Sequence, residues 1–125
     1  MAANKQMALH YWPRKPRFPI IVDTGRGLVG ALSDAECAKR IARLGPFDND
    51  NSMAVIDSTA EGFGFYPKMF LISPLTTKKR WTKAEVIALY NNRRKPDAPE
   101  YQPRSLSNRG FDRVVSELVQ LLREP

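Results

Sequence analysis

The sequence predicts a single α+β domain in which a mainly antiparallel sheet of about four strands is covered on one face by three helices, in the order ββαββαα. The 125 residues suffice for one hydrophobic core. Apolar runs of β type come in two pairs in the first 75 residues, and apolar residues at helical spacing follow two helix-start signals and fill the C-terminus. Residues 17–125 are the predicted domain, and residues 1–16 are a basic, proline-containing N-terminal arm.

The first pair of strands is a predicted hairpin. An apolar run over residues 18–22 ends at Asp23, and a turn signal follows at residues 24–27. Residues 28–32 then form a second apolar run, which we expect to pair with the first.

The second pair begins with a strand over residues 52–56 and continues with a long strand over residues 63–73. Pro67 interrupts the long strand, because proline cannot donate a hydrogen bond to the ladder. We therefore expect a sheet edge or a bulge at this residue.

Capping boxes start the first two helices. Ser33 is followed three residues later by Glu36, and Thr82 by Glu85, so each hydroxyl can accept from a free N–H of the first turn. The first helix ends at Gly45, which is followed by proline. The last helix is predicted by one apolar stripe at helical spacing, formed by Phe111, Val114, Val115, Leu118, Val119 and Leu122.

The chain has one cysteine, Cys37, and one histidine, His10. A single thiol forms neither an internal disulfide nor a Cys-rich zinc site, and we expect Cys37 to be a small core residue of the first helix. A catalytic Cys–His or Ser–His pair would depend on His10 in the arm. No apolar run approaches the roughly 18 residues of a membrane span, and the N-terminus lacks the apolar centre of a secretory signal. We expect a cytoplasmic binding protein, with no cofactor, metal site or membrane contact.

The net charge of +7 is distributed unevenly. Residues 1–22 contain four cations and no acid, and residues 63–104 contain nine cations and three acids, whereas acids outnumber cations in residues 23–62. Because cations neutralise phosphates and Trp rings stack on bases, we predict contact with nucleic acid or with an acidic, nucleic-acid-associated protein. The candidate contacts are Lys78, Lys79, Arg80, Lys83, Arg93, Arg94 and Lys95. Arg14 and Lys15 of the arm, with the adjacent Arg17, are auxiliary contacts, and Trp12 and Trp81 are candidate stacking residues.

Trp81 has a second interpretation. It directly precedes Thr82, the predicted N-cap of the second helix. At that position it would be a hydrophobic staple that packs on the core rather than on a base.

Three carboxylates suggest an alternative, catalytic hypothesis. Asp23 and Asp57 each follow an apolar strand, and Glu61 is close to Asp57 in sequence. Carboxylates at the ends of neighbouring strands could hold Mg²⁺ for a nuclease reaction. The other interpretation is turn chemistry, in which Asp side chains accept from their own backbone at strand ends.

A third hypothesis is a protein–protein adaptor or a homodimer. Aromatic and large apolar side chains crowd the predicted long strand, at Phe63, Phe65, Tyr66, Met69 and Phe70. If Pro67 placed this strand at a sheet edge, the edge would be available for pairing with a partner or with a second copy.

Overall fold

The computed structural model describes residues 9–25, 27–45, 52–75, 80–102 and 108–123. This part of the chain contains six strands and three helices. The strands are β1 (His10–Tyr11), β2 (Ile20–Asp23), β3 (Leu28–Ala31), β4 (Met53–Ile56), β5 (Gly62–Tyr66) and β6 (Leu71–Pro74). The helices are α1 (Asp34–Leu44), α2 (Lys83–Arg93) and α3 (Phe111–Arg123). Within these ranges no helix has the length and apolar character needed to cross a membrane.

The strands form one sheet in the order β1-β6-β5-β4-β2-β3. All neighbours pair antiparallel except β1, which runs parallel to β6. The α+β class, the three helices and the β2–β3 hairpin are therefore confirmed. The sheet is mixed and has six strands, so the prediction of about four strands is corrected.

The two additional strands have separate causes. The run predicted as one long strand is a hairpin of β5 and β6, and Pro67 lies in its turn rather than at an edge or a bulge. Proline has no N–H for the ladder, so the strand ends there, and Phe70 N donates back to Pro67 O at 3.2 Å. β1 comes from residues that we expected in the arm, where His10 N donates to Phe70 O at 2.9 Å.

The helices lie on both faces of the sheet, not on one as predicted. On β2, Ile20 and Val22 pack in one hydrophobic cluster with Cys37 and Ile41 of α1. Ile21 points the other way and packs with residues of α2 and α3. Because Ile20, Ile21 and Val22 are apolar at successive positions of β2 and fully buried, this strand requires cover on both faces.

The helix starts agree with the predicted caps. Ser33 Oγ accepts from Glu36 N at 3.2 Å, while the Glu36 carboxylate accepts from Leu32 N rather than from Ser33 N. Thr82 and Glu85 form the complete reciprocal capping box. These local contacts determine where α1 and α2 begin, because each satisfies otherwise free N–H groups.

Close packing brings α3 directly against β3. A Cβ atom added at Gly30 would lie 3.0 Å from the Val119 Cα atom and 3.2 Å from the Leu122 Cβ atom. Glycine at this position therefore allows the C-terminal half of α3 to approach the sheet edge. At its end, Arg123 Nε of α3 lies 2.6 Å from the Oε2 atom of Glu36 in the first turn of α1.

The thiol of Cys37 is expected to be unreactive in the native protein. Its side chain is fully buried, and burial, with the nearby charges of Asp34 and Glu36, raises the pKa of the thiol to about 12. A chromogenic disulfide reagent at about pH 8 should modify it only after denaturant is added. Rapid stoichiometric labelling without denaturant would show instead that the thiol is accessible.

Candidate basic pocket

The loop between β4 and β5 is organised by Asp57, which is 1% exposed. Its Oδ1 atom accepts from Thr59 N at 2.8 Å, from Thr59 Oγ1 at 2.6 Å and from Glu61 N at 3.1 Å. Its Oδ2 atom accepts from Arg17 N at 3.0 Å. Asp57 thus binds its own turn and the end of the N-terminal segment, as the turn interpretation predicts.

The three candidate catalytic carboxylates do not converge. Val22 pairs with Val55 in an antiparallel register, so the residues that follow β2 and β4 lie at opposite ends of the strand pair. Asp23 therefore lies away from Asp57 and Glu61, and its Oδ1 atom accepts from Gly25 N and from Arg93 Nη1. Among the described residues there is no group of three side chains suited to a metal ion. This geometry does not support the Mg²⁺ site.

Three arginines meet at the β4–β5 loop, and we call Arg14, Arg17 and Arg80 the loop cluster. Arg14 forms an ion pair with Glu61 and lies over the Phe63 ring, 5.2 Å from its centroid. Arg80 Nη2 donates to Thr59 O at 3.1 Å. Arg14 and Arg80, which come from separate segments of the chain, therefore lie at one surface loop, where both guanidinium groups already have partners.

The structure also shows the positions of four other predicted nucleic-acid contacts near this end of α2. Lys15 forms an ion pair with Asp34 at 3.1 Å, and Lys83 Nζ donates to Arg109 O at 2.7 Å. Trp12 is 71% exposed and available for stacking. Trp81 is half-buried and packs against the cluster that contains Val86, which agrees with the staple interpretation. Lys78 and Lys79 lie outside the described residues.

Arg93, Arg94 and Lys95 lie at the far end of α2, away from the loop cluster. Ten residues separate Lys83 from Arg93, a rise of about 15 Å along the helix. The sequence-predicted patch is therefore divided between the two ends of α2.

At this far end is a cavity of about 530 Å³, bordered by α1, β3, α2, the segment after α2 and α3. We call it the basic pocket. Cations from two separate regions of the chain line it, together with one acid. These residues are Arg40 and Arg43 of α1, Arg93, Arg94 and Lys95 at the end of α2, and Asp97.

Sequence reasoning missed Arg40 and Arg43. They lie in the stretch whose acids outnumber its cations, so the regional charge concealed them. Their i, i+3 spacing near the end of a predicted helix was an available signal, because it places both side chains on one helix face. The sequence does not show that this helix face lines the basic pocket, because that depends on the tertiary packing.

Two of these arginines are held by carboxylates. Arg40 Nε lies 3.2 Å from Glu36 Oε2, which Arg123 Nε also approaches at 2.6 Å, and Arg93 Nη1 lies 2.7 Å from Asp23 Oδ1. Burial raises the pKa of the Glu36 carboxyl, but the Leu32 N–H and the two arginines outweigh it and leave the pKa below its ordinary value. Glu36 thus remains charged at neutral pH and keeps both arginines in position.

The remaining cations have no ion pair in the described part of the chain. Arg43 and Lys95 are exposed, and the Arg94 Nη1 atom donates to Ala98 O at 2.7 Å. The Nε atom of Arg94 is buried, and it has no hydrogen-bond acceptor among the described residues. Three positive charges are therefore uncompensated by a carboxylate.

The C-terminal ends of all three helices border the pocket, and their dipoles oppose an anion. Each contributes about −0.5 charge, so the three together contribute about −1.5. The side chains that line the pocket include five cations and one acid. When the residues of the adjoining ion pairs, Asp23, Glu36 and Arg123, are included, the total is six cations and three acids. The side chains therefore outweigh the helix dipoles, and the pocket stays positive.

The aromatic run does not form a sheet edge. β5 pairs with β4 on one side and with β6 on the other, and Phe63 and Phe65 are fully buried. Met69, which is 60% exposed in the β5–β6 turn, is the most exposed side chain of this run. The strand on which the edge-pairing hypothesis was based, β5, is therefore not available for pairing with a partner.

Comparison of the chain with protein-family models, curated proteins and solved structures finds no match. The class of protein therefore follows from the fold and the site alone. They define a small α+β domain with helices on both faces of its sheet and a cationic pocket where the helices end.

Proposed function

We propose that this chain is a non-catalytic, cytoplasmic nucleic-acid-binding domain whose main phosphate contact is the basic pocket. One observation supports the proposal most strongly. The fold brings Arg40 and Arg43 beside Arg93, Arg94 and Lys95 in one cavity, although about fifty residues separate the two groups in sequence.

The chemistry of the lining fits phosphate. Guanidinium groups donate two parallel hydrogen bonds to phosphate oxygens, and phosphate binding releases condensed counterions. The three cations without a carboxylate partner, Arg43, Arg94 and Lys95, can accept an anion without first breaking an ion pair. The loop cluster and Trp12 would add a secondary contact at the other end of α2, weaker because the Arg14 guanidinium is already paired with the Glu61 carboxylate.

Binding of a fluorescent single strand of about 20 nucleotides, followed by anisotropy over a series of salt concentrations, tests the proposal. If about three phosphates are neutralised, the logarithm of the binding constant should fall with the logarithm of salt concentration with a slope of about −2. Polyglutamate is the control, because it carries negative charge without phosphate. No binding of DNA or RNA at about 50 mM salt would refute the proposal, as would equal displacement by polyglutamate.

A further inference from the structure

We propose that the basic pocket recognises a terminal phosphomonoester: the phosphorylated end of a single strand, or a free nucleoside monophosphate. The inference rests on the proposed function and narrows it to one part of the ligand. Three properties of the pocket support it, namely its shape, its charge and its apolar wall.

The shape favours an end over an internal nucleotide. The cavity is bordered by five segments of the chain and has a volume of about 530 Å³, which is within the range of about 300–1,000 Å³ typical of small-ligand sites. An internal nucleotide would need the strand both to enter and to leave the cavity. A terminal nucleotide needs only one opening.

The charge favours a monoester over a diester. A phosphomonoester carries about −1.5 to −2 charges at neutral pH on three acceptor oxygens, whereas an internal phosphodiester carries about −1. Arg43, Arg94 and Lys95 supply three cations without carboxylate partners on this one cavity. After the acids and the three helix dipoles are subtracted, the pocket keeps a net charge of about +1.5, close in magnitude to that of the monoester. The extra charge of the monoester should therefore strengthen binding at this site more than at a flat surface.

The apolar wall suits the remainder of a nucleotide. Leu28, Leu44, Leu121 and Leu122 are half-buried and line the pocket together with the cations. The hydroxyl of Tyr90, which also lines the cavity, already donates to Pro99 O at 2.8 Å. Leucine side chains contact a sugar or a base without hydrogen-bonding to its edge, so we expect little preference among bases.

The decisive comparison uses three strands of one sequence, each with an internal fluorophore: one with a 5′-phosphate, one with a 3′-phosphate and one with hydroxyls at both ends. We expect one phosphorylated strand to bind at least about tenfold more tightly than the hydroxyl strand, a difference of about 1.4 kcal/mol. Adenosine monophosphate should displace the phosphorylated strand at a lower concentration than inorganic phosphate does, because only the nucleotide is large enough to contact the leucines that line the pocket. Equal displacement by the two would contradict a nucleotide site and indicate a simple anion site.

Arg43→Gln and Arg113→Gln form a matched pair. Both remove one exposed guanidinium from a helix, but Arg113 lies near the start of α3, away from the pocket, and pairs with Glu117. Arg43→Gln should abolish the preference for the phosphorylated strand, and Arg113→Gln should retain it. Equal, salt-dependent binding of all three strands would overturn this inference while leaving the proposed function intact. Absence of binding to every strand would overturn the proposed function itself. A preference for the phosphorylated strand that survives Arg43→Gln would show that the phosphate does not bind in the basic pocket.

Discussion

Replacement of Asp57 by alanine is expected to destabilise the protein by about 3 kcal/mol, because its carboxylate accepts four hydrogen bonds while 1% exposed. The substitution leaves the N–H groups of Thr59, Glu61 and Arg17 without this acceptor and removes a link between the β4–β5 loop and the N-terminal segment. Asp57→Asn keeps one acceptor oxygen, so its cost should be about half as large. Urea unfolding of the three proteins measures the difference.

Glu61→Gln is the control for Asp57. Glu61 is a partly exposed carboxylate in the same loop, but its side chain forms a surface ion pair with Arg14, so the substitution should cost less than about 1 kcal/mol. The same proteins separate the turn role from the nuclease hypothesis. An Mg²⁺-dependent loss of nucleic acid that disappears in Asp57→Asn at unchanged stability would contradict the structural role.

Charge reversal in the pocket is expected to have the largest effect on binding. The double substitution Arg43→Glu and Lys95→Glu should weaken nucleic-acid binding about 100-fold at about 50 mM salt, at about 1.4 kcal/mol for each position. The loss should shrink as salt increases, because the interaction is screened. Both side chains are exposed, so stability should change little, although a glutamate in the last turn of α1 opposes the helix dipole by about 0.3–1 kcal/mol.

The equivalent reversal in the loop cluster, Arg17→Glu with Arg80→Glu, provides the comparison. It makes the same change in net charge at the opposite end of α2. If the basic pocket is the main contact, this variant should weaken binding less than about fivefold. An equal loss in both double variants would show that general charge, not the pocket, determines affinity.

The parts of the fold that could be predicted are those determined by neighbouring residues. Ser33 and Thr82 mark the starts of α1 and α2 because a cap needs only a hydroxyl and the N–H groups of the next turn. The β2–β3 hairpin follows from its turn residues in the same way. The position of β1 could not be predicted, because two residues carry no strand signal and the pairing depends on the exposed edge of β6.

The candidate site was predicted in part. The sequence identified Arg93, Arg94 and Lys95 as cations, but it also grouped them with Arg80 and Lys83, which lie at the other end of α2. Arg40 and Arg43 were missed because their role depends on the ends of α1 and α2 bordering one cavity, although the residues concerned are about fifty positions apart in sequence. The charge summed over a stretch of sequence counts residues that are neighbours along the chain. A folded surface also brings together residues that are distant in sequence.

The sequence by itself determined the amount of positive charge, the segments in which most of it lies and the carboxylates that end the strands. The tertiary structure alone decided which of these groups meet. Antiparallel pairing of β2 and β4 sends Asp23 and Asp57 to opposite ends, and Arg93 then pairs with Asp23. The physical reason is that caps and turns act over a few residues, whereas electrostatic fields act through space and depend on distances that only packing sets.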